Sequence, residues 1–346
     1  MAKNIIVSYD GTGQEGGRRQ NTNIYKMFNM ILDRSPEQVV FYAPGVGTDV
    51  HKITGNIGGL GISQNIKAGY RFIFDHFEAG DRIFLMGFSR GAATVRSLSS
   101  FIHYFGILPQ ARPELIEWAY RIYEIRDPDK RKKRADEFIA KNRTMWTTVR
   151  FLGCYDTVAA LGLPSPTLSV LLDGFPLFRH QFHDFRLSKS VENAYQALAI
   201  DDERRTFHPV LWDRQAEPGQ TIKQVWFCGM HTDVGGGYPQ QELSDIPLVW
   251  LIQQAMKHGL LIYPKHKVRI QENADGHMHN SRGTWLTKWY RRQRRFWPDG
   301  RDDKPVVHRS VLERSKNESN GDDPPYSPWI LDHDYEVEEW VRYEDG

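Results

Sequence analysis

The sequence predicts an α/β chain built on a doubly wound, mostly parallel sheet. Two observations carry this: short apolar runs that do not alternate with polar residues, and helical patterns lying between them. Strands of a parallel sheet are buried on both faces, so they read as continuous apolar segments. Such segments fall at Asn4–Tyr9, Gln38–Ala43, 82–86, 147–154 and 224–228. Helical spacing is found at 62–77, which stops at Ala79-Gly80, and then at 91–105, 114–126, 130–141, 191–200 and 247–258. Strand alternating with helix is the pattern of a doubly wound sheet.

The chain has 346 residues, 40% hydrophobic and 25% charged, which suits a packed core with insertions. We expect one domain over 1–346. Three stretches exceed a minimal sheet: 109–141, 161–185 and 265–304. They are expected to form a cap or lid above the sheet. A formal net charge of +2 gives no global basic excess, so no nucleic-acid partner is expected. Cys154 and Cys228, the two cysteines, end apolar runs and read as reduced core thiols. Neither a Cys-x-x-Cys pair nor a zinc-type cluster occurs, and no metal or cofactor is expected. The chain opens directly on a strand, with no signal-peptide pattern, and no apolar run approaches the ~20 residues of a membrane helix. Synthesis in the cytoplasm is expected, and export without a leader is compatible with it. Nothing in the sequence sets the oligomeric state.

The segment 81–95 carries the chemistry. A buried strand runs into Gly87-Phe88-Ser89-Arg90-Gly91, and Ala92-Ala93-Thr94-Val95 begins a helix. A serine on such a strand-to-helix turn is a nucleophile elbow. Glycines two before and two after it remove side chains that would collide with strand and helix, and the new helix aims N–H groups at developing negative charge. Ser89 is therefore the expected nucleophile of an α/β-hydrolase. Asp10-Gly11-Thr12-Gly13 ends the first strand. It lacks the lysine of a phosphate-binding loop, and Ser8 stands where an aspartyl phosphatase would want a second carboxylate. Backbone N–H groups of Gly11 or Thr12, with that of Arg90, are the expected oxyanion hole, and Asp10 is read as a supporting residue or an alternative acid.

A serine nucleophile needs a histidine base oriented by a carboxylate, in the chain order Ser, Asp/Glu, His for this fold. Two sets satisfy it. Asp233, in His231-Thr232-Asp233-Val234-Gly235-Gly236-Gly237, is followed by His308 after Pro305-Val306-Val307. Alternatively Asp156, in Tyr155-Asp156-Thr157, is followed by His231. We favour Ser89–Asp233–His308, and read Asp156 and His231 as residues that brace the site or serve as the alternative pair. The triglycine implies a backbone passing close to something.

These blocks occur in one order, together with 197–204, 207–212 and His308-Arg309-Ser310-Val311. From about Asn4 to about Arg314 the chain resembles the catalytic domain of type VI secretion lipase effectors, a family long filed as a domain of unknown function. The resemblance implies an α/β-hydrolase acting by Ser–Asp–His chemistry, with relatives that cleave glycerophospholipids. It puts the nucleophile on Ser89, the acid on Asp233 and the base on His308. A lipase or phospholipase-like ester hydrolase is thus expected. The alternatives are a stand-alone esterase on small acyl groups and a non-catalytic binding module. Residues 285–297 interleave Trp, Phe and Tyr with Lys and Arg, either as a solvated basic face or as a peripheral contact with anionic lipid.

Overall fold

Parallel strands form the spine of the molecule. The computed structural model describes residues 2–11, 16–17, 20–45, 59–158, 187–213, 216–283, 287–298, 301–317 and 325–343. Among these, eight strands make one sheet in the order β2-β1-β3-β4-β5-β6-β7-β8, every neighbouring pair parallel. They are β1 (Asn4–Tyr9), β2 (Gln38–Ala43), β3 (Arg82–Phe88), β4 (Val149–Tyr155), β5 (Asn193–Ala199), β6 (Thr221–Phe227), β7 (Val306–His308) and β8 (Glu336–Glu338). The helices that position the site are α1 (Asn23–Met30), α2 (Gly59–His76), α3 (Arg90–Phe105), α4 (Leu115–Tyr123), α5 (Pro128–Asn142), α6 (His231–Gly235), α7 (Glu242–Lys257) and α8 (Arg309–Lys316).

Successive strand residues point to opposite faces, and both faces are buried. Ile5, Val7, Ile83, Leu85, Leu152 and Cys154 pack with α2 and α3 on one side. Ile6, Phe84, Met86, Phe151 and Tyr155 pack with α1 and α7 on the other. This two-sided burial is why the strands read as unbroken apolar runs. Both cysteines are buried as thiols, and burial pushes the Cys154 thiol up to about 12.

Two expectations change. Segment 191–200 is not a helix: it is β5, a central strand laddered to β4 and β6. Its Ala, Leu and Gln content favours a helix intrinsically, but all seven strand residues are buried and tertiary pairing overrides propensity. The stop at 305–307 is strand β7, which extends the sheet towards β8. Residues 109–141 carry two helices. They form α4 and α5, which contact α2 and α3 and add Leu115, Ile116, Tyr120 and Phe138 to the core. Each such buried side chain stabilises by about 1.5–3 kcal/mol. The second expected insertion, 161–185, lies outside the described residues. The third, 265–304, does reach the site.

Candidate active site

The turn after β3 has the strain a nucleophile elbow requires. Ser89 sits at φ 57°, ψ −121°, a conformation that non-glycine residues rarely adopt, and begins α3. Its N–H donates to Tyr155 O on β4 at 3.0 Å. The flanking glycines are forced by space: a Cβ on Gly87 would lie 2.4 Å from Gly91 O, and one on Gly91 would lie 2.2 Å from Tyr9 O of β1. Phe88, between them, is gripped by other elements. A Cβ on Gly11 would come within 2.7 Å of its ring and one on Gly235 within 2.0 Å, while the His231 ring packs 4.7 Å from it. The ends of β1, β3 and β6 thus meet around one phenyl ring.

The loop after β1 is braced by Asp10. Its carboxylate accepts from Thr22 Oγ1 at 2.7 Å, from Tyr42 Oη at 2.8 Å and from its neighbour Gly11 N–H at 2.7 Å. Burial outweighs these bonds and raises the carboxyl to about 6. The Gly11 N–H is therefore already engaged, which weighs against it as an oxyanion donor. Thr12 lies outside the described residues. Arg90 is the first residue of α3, as the elbow requires.

Two histidine–carboxylate pairs stand at the ends of the later strands. Asp156 follows β4 at φ 41° and is completely buried. His231 Nδ1 lies 2.5 Å from its Oδ2. Arg295, from the 265–304 segment, donates to both oxygens at 2.6 and 2.8 Å, and also to Ala199 O and Phe207 O. Burial alone would raise the Asp156 carboxyl, but Arg295 and the His231 contact pull it well below the usual carboxylate range. Asp202 stands behind, paired with Arg204 and accepting the His231 backbone N–H at 3.3 Å.

The second pair follows β6. Asp233, on the first turn of α6, reaches back to the Met230 N–H at 3.1 Å. It also accepts the His279 backbone N–H at 3.0 Å and faces His279 Nδ1 at 2.6 Å. Tyr238 stacks on the other side of that imidazole, centroids 3.8 Å apart. The triglycine explains itself here: a Cβ on Gly236 would lie 2.7 Å from Asn23 N, and Asn23 Nδ2 bonds Val234 O and Ser244 O. The start of α1 is clamped against the turn that carries Asp233.

His308 is placed elsewhere. It is buried, stacked 4.7 Å from the Phe227 ring, and its Nδ1 accepts from the Ser310 N–H while contacting Ser310 Oγ, capping α8. A catalytic base keeps Nδ1–H for its carboxylate and a bare Nε2 for the serine. A Nδ1 that accepts a backbone N–H has the opposite tautomer. Burial also lowers His308 to about 3. Among the described residues no hydrogen bond joins Asp233 to His308, and the carboxylate expected to hold His308 holds His279. Sequence reasoning passed over His279. Its signal was faint: a histidine beside Asn280-Ser281 in a loop without periodicity. Arg295 was also missed, because it sits in a run of arginines whose other members are exposed.

Among the described residues no three His, Cys, Asp or Glu side chains converge as a metal site would need. No helix among them is long and apolar enough to cross a membrane.

A strained serine between a parallel strand and a helix, with histidine–carboxylate pairs supplied by later strands, defines an α/β-hydrolase. Residues 3–254 match the family described as "T6SS, Phospholipase effector Tle1-like, catalytic domain". The chain belongs to that family of hydrolases. It is 29% identical over 230 residues to an uncharacterised protein of Saccharomyces cerevisiae, covering 59% of this chain and 32% of that one. It is similar to the crystal structure of an uncharacterised Pseudomonas aeruginosa protein, with TM-score 0.47, 15% identity, and coverage of 83% of this chain and 50% of that one. It is also similar to the Tle1 effector bound to the VgrG spike of the type 6 secretion system, with TM-score 0.37, 19% identity and coverage of 69% and 52%. The chain thus spans about a third of the yeast protein and half of the Pseudomonas one.

Proposed function

We propose that this protein is a serine hydrolase of carboxylic esters, acting on lipid-like and phospholipid acyl esters, with Ser89 as nucleophile, His279 as base and Asp233 as the acid that orients it. The observation that carries the assignment is the Asp233–His279 pair. The carboxylate holds the base by backbone and by the Nδ1 edge of its ring, which leaves Nε2 for the serine, and the chain order is Ser, Asp, His. In this reading Ser89 Oγ attacks the acyl carbon as its proton passes to His279 Nε2. The oxyanion is held by the Arg90 N–H, with Thr12, read from the sequence alone, as the second donor. The ester C–O bond breaks as His279 returns the proton to the leaving alcohol. Water then cleaves the acyl-enzyme with His279 again as base, releasing the acid and restoring Ser89. The chemistry is the same for a phospholipid and for a small acyl ester. Family membership favours the former.

A second reading has its own observation. The His231 ring packs on Phe88, next to the nucleophile, and faces Asp156 at 2.5 Å. Charge weighs against it as the base. Arg295 already shares the buried Asp156 carboxylate that His231 faces. We assign the Asp156–Arg295–His231 set a positioning role. No hydrogen bond joins the Ser89 hydroxyl to either imidazole among the described residues, so the two histidines are separated by experiment. Turnover of a short aryl ester by His279→Ala and by His231→Ala, in protein whose fold is verified by its melting curve, decides between them. Full activity in His279→Ala would sink the proposed triad. A binding module without catalysis is tested by fluorophosphonate labelling, since failure to label Ser89 in the wild type would favour it.

A further inference from the structure

The segment that delivers His279 and Arg295 also carries the largest exposed aromatic side chain of the described residues. Trp289 is 72% exposed and Phe296 52%. Both are held beside one short turn. Tyr290 packs on Phe207 at 5.8 Å, and Phe296 packs on the adjacent His208 at 5.4 Å. The backbone fixes this placement: Arg205 N–H donates to Arg291 O, and Gln293 N–H to Glu203 O. Arg295 points the other way, fully buried against Asp156, so the exposed side chains stand on an anchored base. The surrounding charge is mostly positive. Arg292 and Arg294 share the single carboxylate of Glu203. The exposed Lys288, Arg291 and Arg205 form no ion pair with any described carboxylate. A second turn links the face to the site, since Phe207 contacts the His231 ring at 5.1 Å.

From this we infer that Trp289 and Phe296, ringed by Lys288, Arg291 and Arg205, form a docking face for an anionic lipid bilayer. Aromatic side chains enter the interfacial layer, where Trp is favoured, while the cations remain at the level of the anionic headgroups. Single-stranded nucleic acid would also meet aromatics and cations. The isolated pair, without a groove of stacked rings, favours the bilayer. That docking presents an acyl ester to Ser89 rests on the ester-hydrolase reading. The docking itself does not.

The test uses the full chain carrying Ser89→Ala, so that binding is read without turnover. It is sedimented with phosphatidylcholine vesicles, with and without phosphatidylglycerol. The expected result is binding to the anionic vesicles that weakens with salt, falls about tenfold in Trp289→Ser/Phe296→Ser, and falls about fivefold or more in Arg291→Glu. In the active background the same variants should hydrolyse a soluble aryl ester as the wild type does and lose rate only on anionic vesicles. Equal sedimentation of parent and variants, equal binding to neutral vesicles, or retention by single-stranded nucleic acid but not by vesicles would each overturn the inference. If vesicles bind as expected but the wild type cleaves no ester, the docking face stands and the catalytic reading falls.

Discussion

The two histidine–carboxylate pairs look alike in a list of contacts and differ in what surrounds them. At Asp156–His231 the carboxylate is sealed, shared with a buried arginine, and its histidine side chain is 6% exposed between two phenyl rings. At Asp233–His279 no arginine among the described residues pairs with the carboxylate, and the histidine side chain is 17% exposed beneath Tyr238. A buried ion pair specifies geometry, whereas a base must gain and lose a proton within reach of substrate. The first pair therefore suits a joint that fixes the 265–304 segment to the sheet, and the second suits turnover.

The comparison can be broken in several places. Ser89→Ala should lower kcat on an aryl ester by about 10³ or more, with the melting temperature little changed, and near-normal turnover would remove the premise. His279→Ala should cost about the same, because base and nucleophile act as a unit, and Asp233→Asn should cost about 10² or more. His231→Ala should lose far less per folded molecule. Arg295→Met should act chiefly on stability. It strands the Asp156 carboxylate, at a cost of about 3–5 kcal/mol read from a denaturant midpoint, whereas Arg292→Ala on the exposed rim should barely move that midpoint.

A smaller effect concerns pH. Asp10 is raised to about 6 from 3.8 by burial, so the native state binds its proton more tightly than the unfolded chain does. That stabilisation is complete below about pH 4 and is lost as pH rises through about 6, a change of about 3 kcal/mol. Asp201 is raised to about 6 by burial as well, so Asp10→Asn should remove part of the alkaline fall in stability and leave the rest. The smallest effect on chemistry belongs to His308→Ala. It should keep turnover per folded molecule while losing the cap of α8 (about 1 kcal/mol) and its packing on Phe227. Because burial holds His308 at about 3, wild-type stability should also fall as pH drops from about 6.5 towards 3, a slope the alanine variant lacks. Abolished turnover in folded His308→Ala would restore the pairing read from sequence.

The elbow was legible because its constraints are local. The glycines at 87 and 91 and the strand and helix around Ser89 all lie in the one stretch 82–105. The first strands were legible because burial on both faces leaves an apolar run. β5 was misread because Ala, Leu and Gln state a helical preference that only pairing with β4 and β6 overrules. The partner of Asp233 was misread for a related reason. His308 stands at the end of an apolar run and looks placed, while His279 sits in a loop held by Asp233 across 46 residues of sequence. His308 is placed, but as a helix cap.

The backbone twist at Ser89 has a consequence for timing. The glycines beside Ser89 permit φ of 57°, and distant parts of the chain hold it there. The turn is held by the β1 carbonyls that admit only glycine at 91 and by the β4 carbonyl of Tyr155 that takes the Ser89 N–H. While the chain is being synthesised, β4 arrives long after the serine has emerged. Until it docks, the nucleophile is an ordinary serine in a relaxed loop. On the proposed chemistry, a ribosome-bound or partly unfolded chain could not attack the lipids of the cell that makes it, and hydrolytic competence would appear only once the central sheet has closed.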